Sequence, residues 1–181
     1  MNILKTYQRD AARTVAMLGD IRLDLSHMIL GITSEIEEYL EAVIKDDTIN
    51  ENEELSDIAW YIANYCDMRS YSFEEIVVAS SSYSDEEYVQ DSGIIIPLTR
   101  LADYVKKYIA YNKEIDRSLE KNALLGIAKW LIEDNPDFDL ERDLTRNINK
   151  LKQRYPERFT EEDALNRDLD SERKILEGNE Y

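Results

Sequence analysis

Glycine and proline are scarce in this chain, 5 and 3 among 181 residues. They are the residues that punctuate hairpins and break helices. A chain so poor in them has little means of making the many tight turns of a sheet protein. Long helices joined by few loops are expected instead. The apolar residues agree, because they recur three or four positions apart. Ile3, Leu4, Tyr7, Ala11, Thr14, Val15 and Leu18 predict one amphipathic helix over 2–18, broken by Gly19 and Asp20. Leu25, Met28, Ile29, Ile32, Ile36, Leu40, Val43 and Ile44 predict a second over about 21–45. Gly31 falls inside it, and a helix-interior glycine costs up to about 1 kcal/mol relative to alanine, so a close neighbour is expected there.

The polar run DDTINEN follows, with Asn50 or Asn52 expected to cap a third helix reaching about Arg69 through Leu55, Ile58, Ala59, Ile62 and Tyr65. SFEEIVVA reads as a short helix capped by Ser72. The acidic, serine-rich stretch from Ser80 to Asp91 reads as a long connection, either a lid, an oligomer contact or an insert. Pro97 suits a helix start, and further helices are expected at about 116–134 and 140–154, the last ended by Pro156. The expected fold is all-α, a bundle of about six helices in one domain over 1–181, with 170–181 as an exposed tail.

Composition bounds the function. Hydrophobic residues make up 43% and charged residues 34%, which is globular rather than disordered. No apolar run approaches the roughly 20 residues of a membrane span, and MNILKTYQRDAART turns polar too soon for a secretory signal. The one cysteine, Cys66, follows Ile62 at helical spacing and reads as a core residue, which fits a cytoplasmic location. A net charge of −17 argues against a basic face for nucleic acid and offers no purchase on a membrane, although cations standing between would let such a chain bind phosphates.

One stretch carries chemistry. In HMILGITSEIEEYLEAVIKDDTINENEELSDIAWYIA, carboxylates come in pairs three apart: Glu35 with Glu38, then Glu54 with Asp57. On a helix each pair shares a face, with Cβ atoms about 5–6 Å apart. At about 100° per residue, Glu35 lies at the shoulder of the Ile32–Ile36 stripe, and Glu54 and Asp57 border Leu55 and Ile58. A short loop makes the two helices a hairpin able to bring both pairs to one cleft. Four like charges together repel and raise one another's pKa, which divalent cations relieve, and oxygen donors suit Mg²⁺ or Mn²⁺. Taken singly, such pairs are more often solvated surface.

GITSEIEEYLEA followed by EELSDIAWYIA resembles the MazG-like nucleoside triphosphate pyrophosphohydrolases of the all-α NTP pyrophosphatase superfamily, whose motif is E-x-x-E, a spacer, then E-x-x-D. YQRDAARTV resembles their first helix, and NINKLKQRYPERF with ALNRD their closing segment, so the resemblance spans Tyr7 to Asp168. Ser56 stands where relatives often carry glycine, and the Ser80–Asp91 stretch has no match. The resemblance implies hydrolysis of a nucleoside or deoxynucleoside triphosphate to monophosphate and pyrophosphate. It implies Mg²⁺ or Mn²⁺ held by Glu35, Glu38, Glu54 and Asp57, with Glu35 or Glu38 accepting the water's proton. Asn147, Lys150 and Arg154 would contact substrate, the two cations reaching the distal phosphates; both also read as surface cations near a helix C-terminus. Tyr7, Thr14, His27 and Trp60 are candidate walls of a base pocket, and each also reads as a core or interface residue. A homodimer or homotetramer in the cytoplasm, of a host if the gene belongs to a phage, completes the expectation. The competing readings are an acidic helical interaction protein, such as a DNA mimic, and a relative that keeps the fold without activity.

Overall fold

Acidic side chains set where most of the helices begin. The structure, a computed structural model, describes residues 3–84 and 92–178. It is all-helical, with no strand among the described residues. The helices are α1 (Ile3–Ala12), α2 (Ile21–Ile44), α3 (Thr48–Met68), α4 (Phe73–Ser80), α5 (Ile95–Tyr111), α6 (Arg117–Glu133), α7 (Leu140–Arg154), α8 (Glu161–Leu165) and α9 (Leu169–Leu176). The carboxylates of Asp20, Asp47, Asp116, Asp139 and Asp168 each accept a backbone N–H in the first turn of α2, α3, α6, α7 and α9. Such caps satisfy donors the helix cannot, and place negative charge at the positive end of its dipole. Ser72 caps α4, as its sequence predicts.

Four expectations need correction. The nine helices described exceed the about six expected, chiefly because the chain beyond α7 forms two short helices, α8 and α9. The first helix stops at Ala12 rather than Leu18. Thr14 folds back, its N–H and hydroxyl both donating to the Ala11 carbonyl at 2.9 and 2.8 Å, and Leu18 N–H then donates to Asp24 Oδ1 at 2.7 Å. The third helix is capped by Asp47, which accepts from Asn50 N–H, so neither Asn50 nor Asn52 is the cap. Residues 169–176 are no exposed tail: α9 docks on α7 and buries Glu172, Ile175 and Leu176. Residues 85–91 of the Ser80–Asp91 stretch lie outside the described residues.

The centre of the molecule is α3, which packs against α1, α2, α4, α6 and α7. Leu55, Ile58, Ala59, Ile62, Ala63 and Cys66 of α3 are buried with Leu25, Met28 and Ile32 of α2. Each large side chain removed from water contributes about 1.5–3 kcal/mol before entropy is counted. The α2–α3 loop spans only 45–47, so the pair is a tight hairpin. Gly31 faces Tyr61 and Glu35 faces Glu54; one number falls as the other rises, the register of antiparallel helices. Gly31 has the close neighbour its position predicts. A Cβ there would lie 2.1 Å from the Tyr61 ring.

The outer half of α2 departs from its pattern. Leu40, Val43 and Ile44 are exposed, Ile44 at 82%, because the helix runs past the end of the core. At the opposite end of α3, Glu120 of α6 is fully buried. It accepts from Tyr65 Oη and Arg69 Nε at 2.7 Å each and from Tyr71 Oη at 2.9 Å. A buried carboxylate with this many donors ties α6 to α3, and removing one partner would leave a charge unpaired.

Candidate metal centre

The hairpin register puts Glu35 and Glu38 of α2 opposite Glu54 of α3. One carboxylate oxygen from each lies within 4.8 Å of the others. The three form a gradient: Glu54 is 6% exposed, Glu35 is half-buried and Glu38 is open to solvent. Burial, and after it the negative charge of Asp57, raises the Glu54 carboxyl. The same causes in the same order push Glu35 up to about 7. Glu35 and Glu54 also act on one another, each placed where a second negative charge is costly.

Asp57 stands beside this cluster rather than in it. Its Oδ2 lies 2.7 Å from Lys150 Nζ, and its Oδ1 accepts from Asn147 Nδ2. Lys150 is 1% exposed and also meets Glu53 Oε1 at 3.1 Å. Burial alone would lower the Lys150 ammonium, but Asp57 and Glu53 outweigh it and hold the group charged. Lys150 is therefore an internal counter-charge, not a free cation able to meet a phosphate. Asn147, fully buried, links two walls: its amide donates to Asp57, and its Oδ1 lies 2.9 Å from Tyr7 Oη. Tyr7 is fully buried, with its hydroxyl also 3.1 Å from the Ser56 carbonyl, so it is core rather than pocket wall. Of the four carboxylates expected to hold metal, three converge, and Asp57 lines the same cleft while bonded to Lys150 and Asn147.

A cleft of about 510 Å³ opens over the cluster, and Asp57 lines it too. Thr14, His27 and Trp60 line it, as expected of them, together with Tyr61, Tyr155 and Phe159. Trp60 Nε1 donates to Thr14 Oγ1 at 2.9 Å, which fixes the indole across the cleft. His27 meets Tyr61 edge-on with centroids 6.1 Å apart, and its Nδ1 is buried without a hydrogen-bond partner. Arg154 also lines the cleft, but its guanidinium is bound to Glu172.

Sequence reasoning missed four residues here. Glu53 neighbours the recognised Glu54, yet only the fold reveals that it faces Lys150. Tyr61 has a signal in Gly31, whose missing side chain implies a large partner. Glu172 and Arg167 were missed because the residue that joins them to the cleft, Arg154, reaches Glu172 from 18 positions away, a contact only the fold reveals.

Three carboxylates suit a hard divalent cation. In an octahedral Mg²⁺ shell with bonds of about 2.1 Å, neighbouring ligands stand about 3 Å apart and opposite ones about 4.2 Å, so donor atoms that lie within 4.8 Å of one another need only side-chain rotations to share one ion. The donor set therefore fits the metal implied by the sequence resemblance. In comparisons with known proteins, no family model matches the chain, and neither a curated protein nor a solved structure does.

Proposed function

We propose that the protein is a metal-dependent nucleotide pyrophosphohydrolase, adding water to an NTP or dNTP to give the monophosphate and pyrophosphate. The observation that carries this reading is the convergence of Glu35, Glu38 and Glu54 on the floor of a cleft walled by aromatic rings. The E-x-x-E and E-x-x-D spacing, like that of MazG-like enzymes, supports it from the sequence side.

Glu35, Glu38 and Glu54 would hold Mg²⁺ or Mn²⁺. Such an ion neutralises charge on phosphate oxygens and lowers the pKa of water. Glu38, the exposed member, stands where water arrives and accepts the proton of the attacking molecule. Asp57 adds negative charge from the cleft lining, with Lys150 and Asn147 fixing its orientation. Trp60, Tyr61, Tyr155 and Phe159 offer ring faces and edges to a nucleobase. Arg154 faces the polyphosphate. The exposed Leu40, Val43 and Ile44 of α2 supply the apolar surface of a homodimer or homotetramer.

The DNA-mimic alternative asks for acids spread over a face. Here Asp20, Asp47, Asp116, Asp139 and Asp168 cap helices, and Glu54, Glu120 and Glu172 are buried. Incubation with each common NTP and dNTP, in Mg²⁺ or Mn²⁺, tests the proposal. Pyrophosphate release that requires metal and disappears in Glu38→Gln and Glu54→Gln is expected. Absence of cleavage of every nucleotide with either metal overturns it.

A further inference from the structure

The dipeptide Glu172–Arg173 straps the end of the cleft. The Glu172 carboxylate is 5% exposed and receives Arg154 Nε at 2.8 Å, Arg154 Nη2 at 2.5 Å and Arg167 Nη2 at 2.8 Å. Both arginines line the cleft that holds Glu35, Glu38 and Glu54. Next to it, Arg173 reaches the other side: its Nη1 donates to Asn50 Oδ1 at 3.0 Å and its Nη2 to Asp47 Oδ1 at 3.3 Å, at the α2–α3 turn. So α9 joins the end of α7 to the turn of the hairpin that carries the carboxylates.

Two guanidinium groups converge on the single Glu172 carboxylate, in a pocket that Asp163 and Asp168 also line. A guanidinium fork that grips a carboxylate in this way grips a phosphate equally well. A terminal phosphoryl group brings more negative charge and one more oxygen than Glu172 does. It would therefore gain more from the same pair of forks.

We propose that Arg154 and Arg167 form an anion clamp that Glu172 fills in the ligand-free protein, and that the terminal phosphates of a polyphosphate ligand take the clamp by displacing Glu172 and loosening α9. This deepens the reading of the cleft as a nucleotide site and rests on it, adding Arg167 as a ligand-contacting residue and α9 as an internal competitor. The expectation drawn from sequence, Lys150 with Arg154, is replaced by Arg167 with Arg154, because Lys150 is already neutralised by Asp57 and Glu53.

The test uses the full chain, inorganic tripolyphosphate as probe, and EDTA to exclude metal. Hydrolysis plays no part, so failure here leaves the enzymatic proposal standing, and an inactive protein leaves the clamp standing. Affinity is measured by calorimetry at fixed ionic strength, and amide exchange is followed over 169–176. Tripolyphosphate is expected to bind, to speed exchange in α9, and to bind Glu172→Gln about tenfold more tightly than the parent, the effect of roughly one charge-assisted contact. Arg167→Gln is expected to weaken binding by a similar factor without changing the helical content. Should Glu172→Gln fail to fold, the exchange of α9 in the parent and the affinity of Arg167→Gln decide. No measurable binding, equal affinity in parent and both variants, or unchanged or stronger α9 protection on binding overturns the proposal.

Discussion

Lys150 Nζ lies 2.7 Å from Asp57 Oδ2 while 1% of the lysine side chain is exposed. The pair joins the middle of α7 to the helix that carries half of the carboxylate motif. Truncating one member of a buried pair strands the other, at about 3–5 kcal/mol. Lys150→Met is therefore expected to lower stability by about that amount, since Asp57 and Glu53 would face each other without a cation. Urea denaturation measures it. A loss below about 1 kcal/mol, the level of a surface pair, would show that Lys150 is solvated instead.

The raised carboxyls of Glu35 and Glu54 make stability depend on pH. Both carboxyls are raised from their ordinary value of 4.5, by burial first and Asp57 second, Glu35 to about 7 and Glu54 further. The folded state therefore binds more protons than the unfolded state above the ordinary carboxyl range. Stability from this source is complete at low pH and is lost as pH rises from about 4.5 through about 7 for Glu35 and about 9 for Glu54. Metal-free protein should melt at a lower temperature at pH 8 than at pH 6. Glu54→Gln should flatten that decline, and Mg²⁺ should offset it in the parent only. Melting curves in EDTA and in Mg²⁺ check all three, and a steeper decline in Glu54→Gln would contradict the raised Glu54 carboxyl.

Gly31→Ala tests the hairpin. The added methyl would sit 2.1 Å from the Tyr61 ring, closer than atoms pack, so either the ring swings or the helices part. Overpacking of this kind costs about 1–3 kcal/mol. Because Tyr61 lines the cleft, nucleotide binding should weaken together with stability. A neutral or stabilising effect, as expected for a glycine replaced on an open helix face, would contradict the close approach of α2 to α3.

Cys66 is fully buried in α3, and burial pushes its thiol up, away from the reactive thiolate. A disulfide reagent should label it only as fast as the protein unfolds, with full labelling in denaturant. Rapid labelling of the native protein would contradict the core position.

Much of the helix pattern was legible because its signals are local. Ser72 and Pro97 mark starts by their own chemistry, and Pro156 follows the end of α7. Gly31 announced a close neighbour, although not which one. The carboxylate spacing placed Glu35, Glu38 and Glu54 on one cleft, because i, i+3 geometry on a tight hairpin leaves few alternatives. What escaped is tertiary. Periodicity carried the first helix to Leu18, but Thr14 turns the chain at Ala11 and holds the Trp60 indole. That Asp57 is also held by Lys150 and Asn147 was not legible, because both arrive from α7. The tail read as solvated because its charges alternate, whereas Glu172 and Arg173 spend those charges on Arg154, Arg167, Asp47 and Asn50.

A crystal soaked in Mn²⁺ and measured at the manganese edge tests the carboxylate cluster most directly. An anomalous peak coordinated by Glu35, Glu38 and Glu54 is predicted, with Asp57 still paired to Lys150. Saturating Mn²⁺ with no peak among those three side chains, or with peaks only at exposed surface acids, would contradict it.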